Sequence, residues 1–393
     1  MHIPSPHLTA RARWAVVAMF FLNGFVVGSW APQIPALVER LGIDKFTLGL
    51  LILGFGLGAL TLMPIAGVLL ARRESRAVVV GFASVVVFSL LAVAAAPHVA
   101  VAAVFMFVFG GVVGGMDVAM NANAVTVERR LDRPIMSSSH GFWSLGGFAG
   151  GGLGGIAIEQ AGALAHSAAV AAVALAILVA SARHLIGGDR PVAAGVRQKL
   201  ALPRDPTIYL VGLVALLCMI PEGAVLDWAA LYLQNERGAG LATAGLAFAL
   251  FSATMALMRF AGDGIRRRFG AVATMRVSSL VAAAGMLAAG LSPWPSLAIA
   301  AFAFAGLGIA NVVPIAFSAA GNHPGLSSGT GMSIVTTMGY SGILVAPSAI
   351  GFVAQMVGLA PIFVALSAVL VIVFLSAGLV RHADFRTDHE PAA

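Results

Sequence analysis

Charge is scarce in this sequence. Of 393 residues only 10% are Asp, Glu, Lys or Arg, while 60% are hydrophobic; soluble domains run at about 25% and 45–50%. So few charges cannot cover a water-facing surface, which excludes an ordinary soluble fold and leaves lipid as the solvent for the excess apolar area. Cysteine is scarcer still. Cys218 is the single one, so an intrachain disulfide is excluded and the redox compartment stays unread. In its apolar segment it reads as a small buried hydrophobe. No GxxxxGK[ST] loop occurs, and nothing points to ATP as an energy source. Without CxxC or HExxH, a metal site or hydrolytic centre would lack its usual ligands. No cofactor and no enzyme activity are expected. The opening "MHIPSPHLTARARW" holds no apolar core followed by a small-residue cleavage site, so no cleaved signal peptide is expected.

What is present is long apolar runs and 46 glycines, the residue that lets transmembrane helices approach closely. A helix needs about 20 apolar residues to span a bilayer core. Twelve segments meet that need, at approximately 12–37, 46–71, 76–96, 99–127, 137–160, 163–184, 207–234, 241–265, 270–291, 295–320, 328–357 and 360–380. Barrel strands would instead alternate polar and apolar over about ten residues. The expected fold class is an all-α membrane protein.

An even number of spans puts both termini on one side. Arg11, Arg13, Arg72, Arg73, Arg76 and most other basic residues fall on that side, against Arg40, Lys45 and Arg237 on the other. The positive-inside rule makes the terminal side cytoplasmic. The net charge of +7 then reports topology and contact with anionic lipid. Basic residues scattered through short loops are no nucleic-acid footprint.

The longest interruption, "GGDRPVAAGVRQKLALPRDP" at 187–206, is polar, basic and punctuated by proline. It divides the chain into a six-helix bundle over 1–184, a cytoplasmic linker over 185–206, and a second bundle with a short tail over 207–393. An offset of 196 residues lays Met136-Ser137 on Met332-Ser333, Gly146 on Gly342, Gly155 on Gly351, Glu159 on Gln355 and Gly162 on Gly358, and one of 198 lays Trp30 on Trp228. Such near-constant offsets point to a duplication, and in membrane proteins a duplication points to a site where the halves meet.

With six plus six helices, a cytoplasmic linker and the basic turn "RFAGDGIRRRFG" at 259–270, the chain resembles the major facilitator superfamily. Its first copy of that turn, "GVLLARRESR", has Ala71 where the family usually has aspartate. The resemblance implies two bundles related by a pseudo-two-fold axis, and it makes Asp263 the better latch candidate. "GGMDVAMNANAV" (114–125), "SSSHGFWSLGG" (137–147) and "PEGAVLDWAALYL" (221–233) are most similar to a bacterial branch near the fucose permeases, with the rhizopine-associated MosC type. That branch implies an inner-membrane protein handling a sugar, polyol or cyclitol.

An ionised side chain at mid-helix costs about 2.5–3.5 kcal/mol on insertion scales, so each one needs a reason. Asp117 and Asn121 are four apart and share a helix face with Gly110 and Gly114. His140, early in the fifth helix, is expected at the depth of Asn121. Desolvation disfavours a charged carboxylate, which makes Asp117 a candidate proton carrier; permanent bracing of its helix is the structural alternative. Glu222 follows Pro221, whose missing N–H frees backbone carbonyls. It stands five residues from Asp227, about 140° around an ideal helix, so the two are not expected in one pocket. Glu222 is the favoured carrier, with Asp227 assigned to substrate or helix pairing. His140 completes the proton-coupling candidates.

The candidate substrate ligands are Asn23, Trp30, Gln33, Asn121, Asp227, Trp228, Asn311 and Tyr340. Amides offer a donor and an acceptor to hydroxyls, although helix-to-helix bonding is an equal use for them. Trp228 is either an interfacial anchor or a wall for a sugar ring. Arg259 and Asp263, four apart, are expected to pair with each other and, with Arg267, to gate. Glycines at 147, 151 and 155 form a packing stripe. They also nearly match a GPxxGG pattern of drug–proton antiporters, with Gly147 replacing the proline. The resulting expectation is a proton-coupled symporter, working as a monomer on a small polar solute. Its rivals are a drug or metabolite antiporter and a non-transporting receptor or scaffold.

Overall fold

In hydrocarbon every backbone N–H and C=O must be satisfied within the protein, and a helix does so within one segment. The computed structural model describes residues 6–70, 72–131, 135–187, 203–324, 326 and 328–383. Ala71 and most of the 185–206 linker lie outside them. In chain order the helices are α1 (Pro6–Leu41), α2 (Lys45–Leu70), α3 (Ser75–Ala95), α4 (Val99–Leu131), α5 (Met136–Ala161) and α6 (Ala163–Ala182), then α7 (Pro206–Arg237), α8 (Leu241–Phe269), α9 (Ala271–Leu291), α10 (Pro295–Gly321), α11 (Ser328–Val357) and α12 (Ala360–Ser376). A 3-10 turn, Ala377–Ala383, closes the last span. Among the described residues, eleven helices are long and apolar enough to cross a membrane. The exception is α5, whose serines and glycines lower its hydropathy and which packs between α1 and α8.

Every major packed pair in the first half recurs in the second. α1 packs on α5 as α7 does on α11, α2 on α4 as α8 on α10, and α3 on α4 and α6 as α9 on α10 and α12. The ends repeat too. Gly42 and Gly238 terminate α1 and α7 at φ 61° and 66°, and Gly162 and Gly358 terminate α5 and α11 at φ 85° each, a left-handed region where glycine has no Cβ penalty. Arg40 reaches back to the carbonyls of Val93 and Ala96 at the end of α3. Arg237 does the same to Gly290 and Ser292 at the end of α9. These correspondences are the three-dimensional form of the duplication.

Small residues set the helix spacing. A Cβ on Gly24 of α1 would lie 1.9 Å from the carbonyl oxygen of Trp143 on α5, and one on Gly110 of α4 would lie 1.8 Å from that of Phe55 on α2. Backbones therefore touch there, as dispersion-driven packing in lipid requires. Large apolar side chains such as Leu153, Val179 and Leu375 stay exposed on the outer surface, suited to acyl chains.

The halves meet through α5 against α8, α2 against α11, and α1 against α7 and α8. We call the side bearing the linker and both termini the terminal side, and the side bearing the α1–α2 and α7–α8 connections the distal side.

Candidate functional site

Polar groups from both halves converge near the middle of the bundle. On α4, the Asn121 amide donates to the Asp117 carboxylate at 3.2 Å and to the Asp117 carbonyl at 2.8 Å. From α5, His140 Nε2 meets Asn121 Oδ1 at 3.2 Å, and its ring lies edge-on to Phe20 of α1 at 5.1 Å. The result is a hydrogen-bonded chain from imidazole through amide to carboxylate. Gly110 and Gly114 on the same helix press against Phe55, Ala59 and Met63 of α2.

The second half contributes an ion pair. Arg259 of α8 holds Glu222 of α7 at 3.3 Å, with 15% and 25% of the side chains exposed. Its other terminal nitrogen donates to Ser144 Oγ of α5 at 2.6 Å, while Ser252 of α8 donates to the Ser144 carbonyl at 2.7 Å. The guanidinium therefore joins the halves inside the site. Tyr340 of α11 lies in the electrostatic field of both Asp117 and Glu222, and His140 in that of Arg259. The two clusters therefore lie within electrostatic range of one another. The described partners of Arg259, which was expected to pair with Asp263, are Glu222 and Ser144. The Asp263 side chain lies outside the described residues, and Arg267 is exposed.

Other candidates resolve differently. Gln33 donates to the Ala163 carbonyl at 2.8 Å and to Ser167 at 2.7 Å, and meets His166 at 2.8 Å. Its amide nitrogen is thus engaged between α1 and α6. Trp228 is fully buried in the core, with its ring edge against the Gly351 position of α11, so it does not sit at a membrane interface. Asn311 is 7% exposed and occupies the seam between α10 and α8, where the absent side chain of Gly262 makes room for its oxygen. Asn23 accepts from Trp143 Nε1 at 2.9 Å and donates to the Val113 carbonyl at 3.4 Å, tying α1 to α5 and α4. Trp30 donates to Asp227 at 3.3 Å across the halves, so this pair links α1 to α7. Trp143 and Ser144 were not singled out from sequence, although both stand in the "HGFWSLGG" stretch. A serine and a tryptophan in a helix carry no spacing signal of their own.

The glycine stripe of α5 faces α8. Gly147 meets Ser252, Gly151 meets Ala249, and Gly155 meets the backbone of Leu241 and Ala242. Packing across the halves explains it fully, and the resemblance to antiporters draws no support from it.

On the distal side the halves are clasped. Lys45 pairs with Glu236 at 3.3 Å, Gln355 donates to Asp44 at 2.7 Å, and Ser348 donates to the Gly49 carbonyl at 3.1 Å. Glu159 accepts from the Ala242 N–H at the start of α8 at 2.8 Å. The hydroxyl and N–H of Thr47, then Gln355, hold the Asp44 carboxyl below its usual range. Among the described residues no such set of polar links joins the halves at the terminal side. Outside the central site, the described polar links between the halves thus gather on the distal side.

Comparisons with known proteins agree with this architecture. The sequence profile described as the Major Facilitator Superfamily matches residues 16–347 and 211–393. An uncharacterized MFS-type transporter of Yersinia pestis is 36% identical over 360 residues, covering 91% of this chain and 93% of that one. The membrane protein MosC of Rhizobium meliloti is 32% identical over 361 residues, covering 91% and 88%. Among solved structures, the nucleoside transporter NupG superposes with a TM-score of 0.71 at 13% identity, covering 94% and 98%. A bacterial homologue of the human lysosomal transporter Spinster gives 0.73 at 15%, covering 98% and 100%. With two six-helix bundles repeating one packing plan and relatives at this identity across nearly the whole sequence, the chain belongs to the major facilitator superfamily of multi-pass membrane transporters.

Proposed function

We propose that this transporter is a proton-coupled symporter of a small polar solute, in the class of sugars, polyols and cyclitols, working by alternating access. The observation that carries the reading is that Asp117–Asn121–His140 and Glu222–Arg259–Tyr340 lie within electrostatic range of one another. Amides, a hydroxyl and an imidazole match a hydroxylated solute's mixed donors and acceptors. The carboxylates provide groups that can take up and release a proton. Proton and solute drive one another only if both prefer the same conformation, and a site shared between two halves gives each ligand a hold on that choice. The distribution of basic residues supports a cytoplasmic terminal side in the bacterial inner membrane. The form described would then be closed to the outside, with a monomer sufficient to house the site.

The test uses purified protein in proteoliposomes with an imposed pH gradient and labelled L-fucose, myo-inositol and uridine as probes, the last because NupG is a nucleoside transporter. Symport predicts accumulation of at least one probe with proton entry. Asp117→Asn should abolish that accumulation while exchange of the probe persists. Exit of the probe as protons enter would overturn symport in favour of exchange. Binding without flux would overturn transport itself.

A further inference from the structure

Asp227 is a buried carboxylate that the reading above leaves without work. It stands on α7, is 8% exposed, and its one described polar contact is the Trp30 indole N–H of α1 at 3.3 Å. That contact crosses from one half to the other. It lies deeper than the distal clasp of Lys45, Glu236, Asp44 and Gln355, along the α1–α7 crossing. Four charged or titratable groups on α7 and the helices around it are engaged elsewhere. Arg259 of α8 is held by Glu222 and Ser144, Tyr340 of α11 faces Asp117 and Glu222, Arg40 of α1 is held by the end of α3, and Glu236 by Lys45 and the start of α12. Described residues of α10 and α12 add Asn311 as a buried polar side chain, and it sits in the α8 seam. Asp227 therefore has no described cation to balance an ionised charge.

We infer that Asp227 is a proton-binding group of the transport cycle, and that its protonation licenses closure of the distal side. Both its burial and its sole donor depend on the contact between halves. When α1 and α7 part, Trp30 leaves and water reaches the carboxylate. A carboxylic acid tolerates the sealed position, where an unpaired carboxylate is costly; a wetted carboxylate suits the open one. Closure thus takes up one proton and opening releases one, which is a direct link between pH and conformation. Asp44 does not supply this link, because its depressed titration keeps it ionised through the neutral range. The inference rests on the proton-coupled reading but needs no identified solute.

The experiment places spin labels at the exposed Glu39 of α1 and Asn235 of α7 in a Cys218→Ala background in lipid nanodiscs. The label distance is followed from about pH 5 to pH 9. The parent protein should lengthen this distance as pH rises, with a one-proton midpoint. Asp227→Asn keeps an acceptor for Trp30 but cannot ionise, so it should lose the lengthening and stay short. Trp30→Phe should retain the response with a displaced midpoint. A response in Asp227→Asn with the parent's midpoint would overturn the inference, as would an unresponsive parent. Should Asp227→Asn not fold, an unmoved midpoint in Trp30→Phe would overturn it alone. Proton flux measured on the parent in vesicles separates the two readings: flux with an unaltered Asp227→Asn titration sinks only the role of Asp227, whereas absence of flux sinks the coupled reading as well.

Discussion

Glu159 and Gln355 occupy equivalent positions, 196 residues apart, at the distal ends of α5 and α11, and each fastens its half to the other. Glu159 accepts from the first turn of α8. Gln355 donates to Asp44, which itself caps the first turn of α2 through Thr47 N–H at 2.8 Å. One copy thus supplies the anion directly, and the other recruits it from the partner helix. Anions at helix N-termini contribute about 0.3–1 kcal/mol. Glu159→Ala should raise the distal-open population by about two- to five-fold, read as faster alkylation of a reporter cysteine at Asn235.

Lys45 and Glu236 are not equal partners. Lys45 adds an ion pair and a long contact to the Ala354 carbonyl. Glu236 also accepts from Leu359 N–H at 2.6 Å and Ala360 N–H at 3.0 Å, capping α12. Lys45→Met should cost up to about 1 kcal/mol, and Glu236→Gln about 1 kcal/mol more. Unfolding temperatures in one detergent would check the order.

Within the central site, Arg259 is the keystone of a mixed pair. Arg259→Ala leaves Glu222 without its cation and Ser144 without its charged donor, so solute accumulation should fall at least ten-fold. Ser144→Ala removes only a hydrogen bond to a charged group, worth about 1.5–3 kcal/mol. If the two variants proved equally active, the ion pair would be ornamental to transport.

Acid should loosen the clasp only at the extreme. Asp44's carboxyl titrates below its usual range because Thr47 and Gln355 bond its ionised form. A depressed folded value contributes stability that is complete above the unfolded value of about 3.9 and is lost as pH falls through the folded one. Gln355→Leu should leave distal opening insensitive to pH between about 5 and 8 and hasten it only below about pH 4, as measured by the same alkylation rates.

Glycine contacts give a graded control. Gly24→Ala would drive a methyl to 1.9 Å from the Trp143 carbonyl, whereas Gly81 faces open space. The first should cost about 1–3 kcal/mol by overpacking and drag the Asn23–Trp143 bond with it. Gly81→Ala should leave thermal stability unchanged.

Much of this architecture was legible in the sequence because hydropathy and spacing report directly on the bilayer. Twelve helices stand where apolar length placed twelve spans, although α5 falls short of a span's hydropathy, and the end of the last, read as helix to 380, tightens into the 3-10 turn. Asp117, Asn121 and His140 meet because period and depth both follow from helix geometry. The surroundings of Gln33 and Trp228 were not legible, for the opposite reason. Whether an amide or an indole points into a cavity or into a neighbouring helix depends on rotation about the helix axis, which the second half of the fold decides. Arg259 shows the same limit: its described carboxylate partner, Glu222, stands 37 positions off and comes within reach only once α7 and α8 pack. Lys45 and Glu236 gave no local signal at all, since their partnership exists only where the halves touch.

The seam between α5 and α8 is lined on one side by Gly147, Gly151 and Gly155, which receive the Ser252 and Phe248 side chains and, at Gly155, the backbone of Leu241 and Ala242. Room for a side chain is therefore missing along the whole contact between the halves. Bulky substitutions there would wedge the two bundles apart before they disturbed either bundle's own packing.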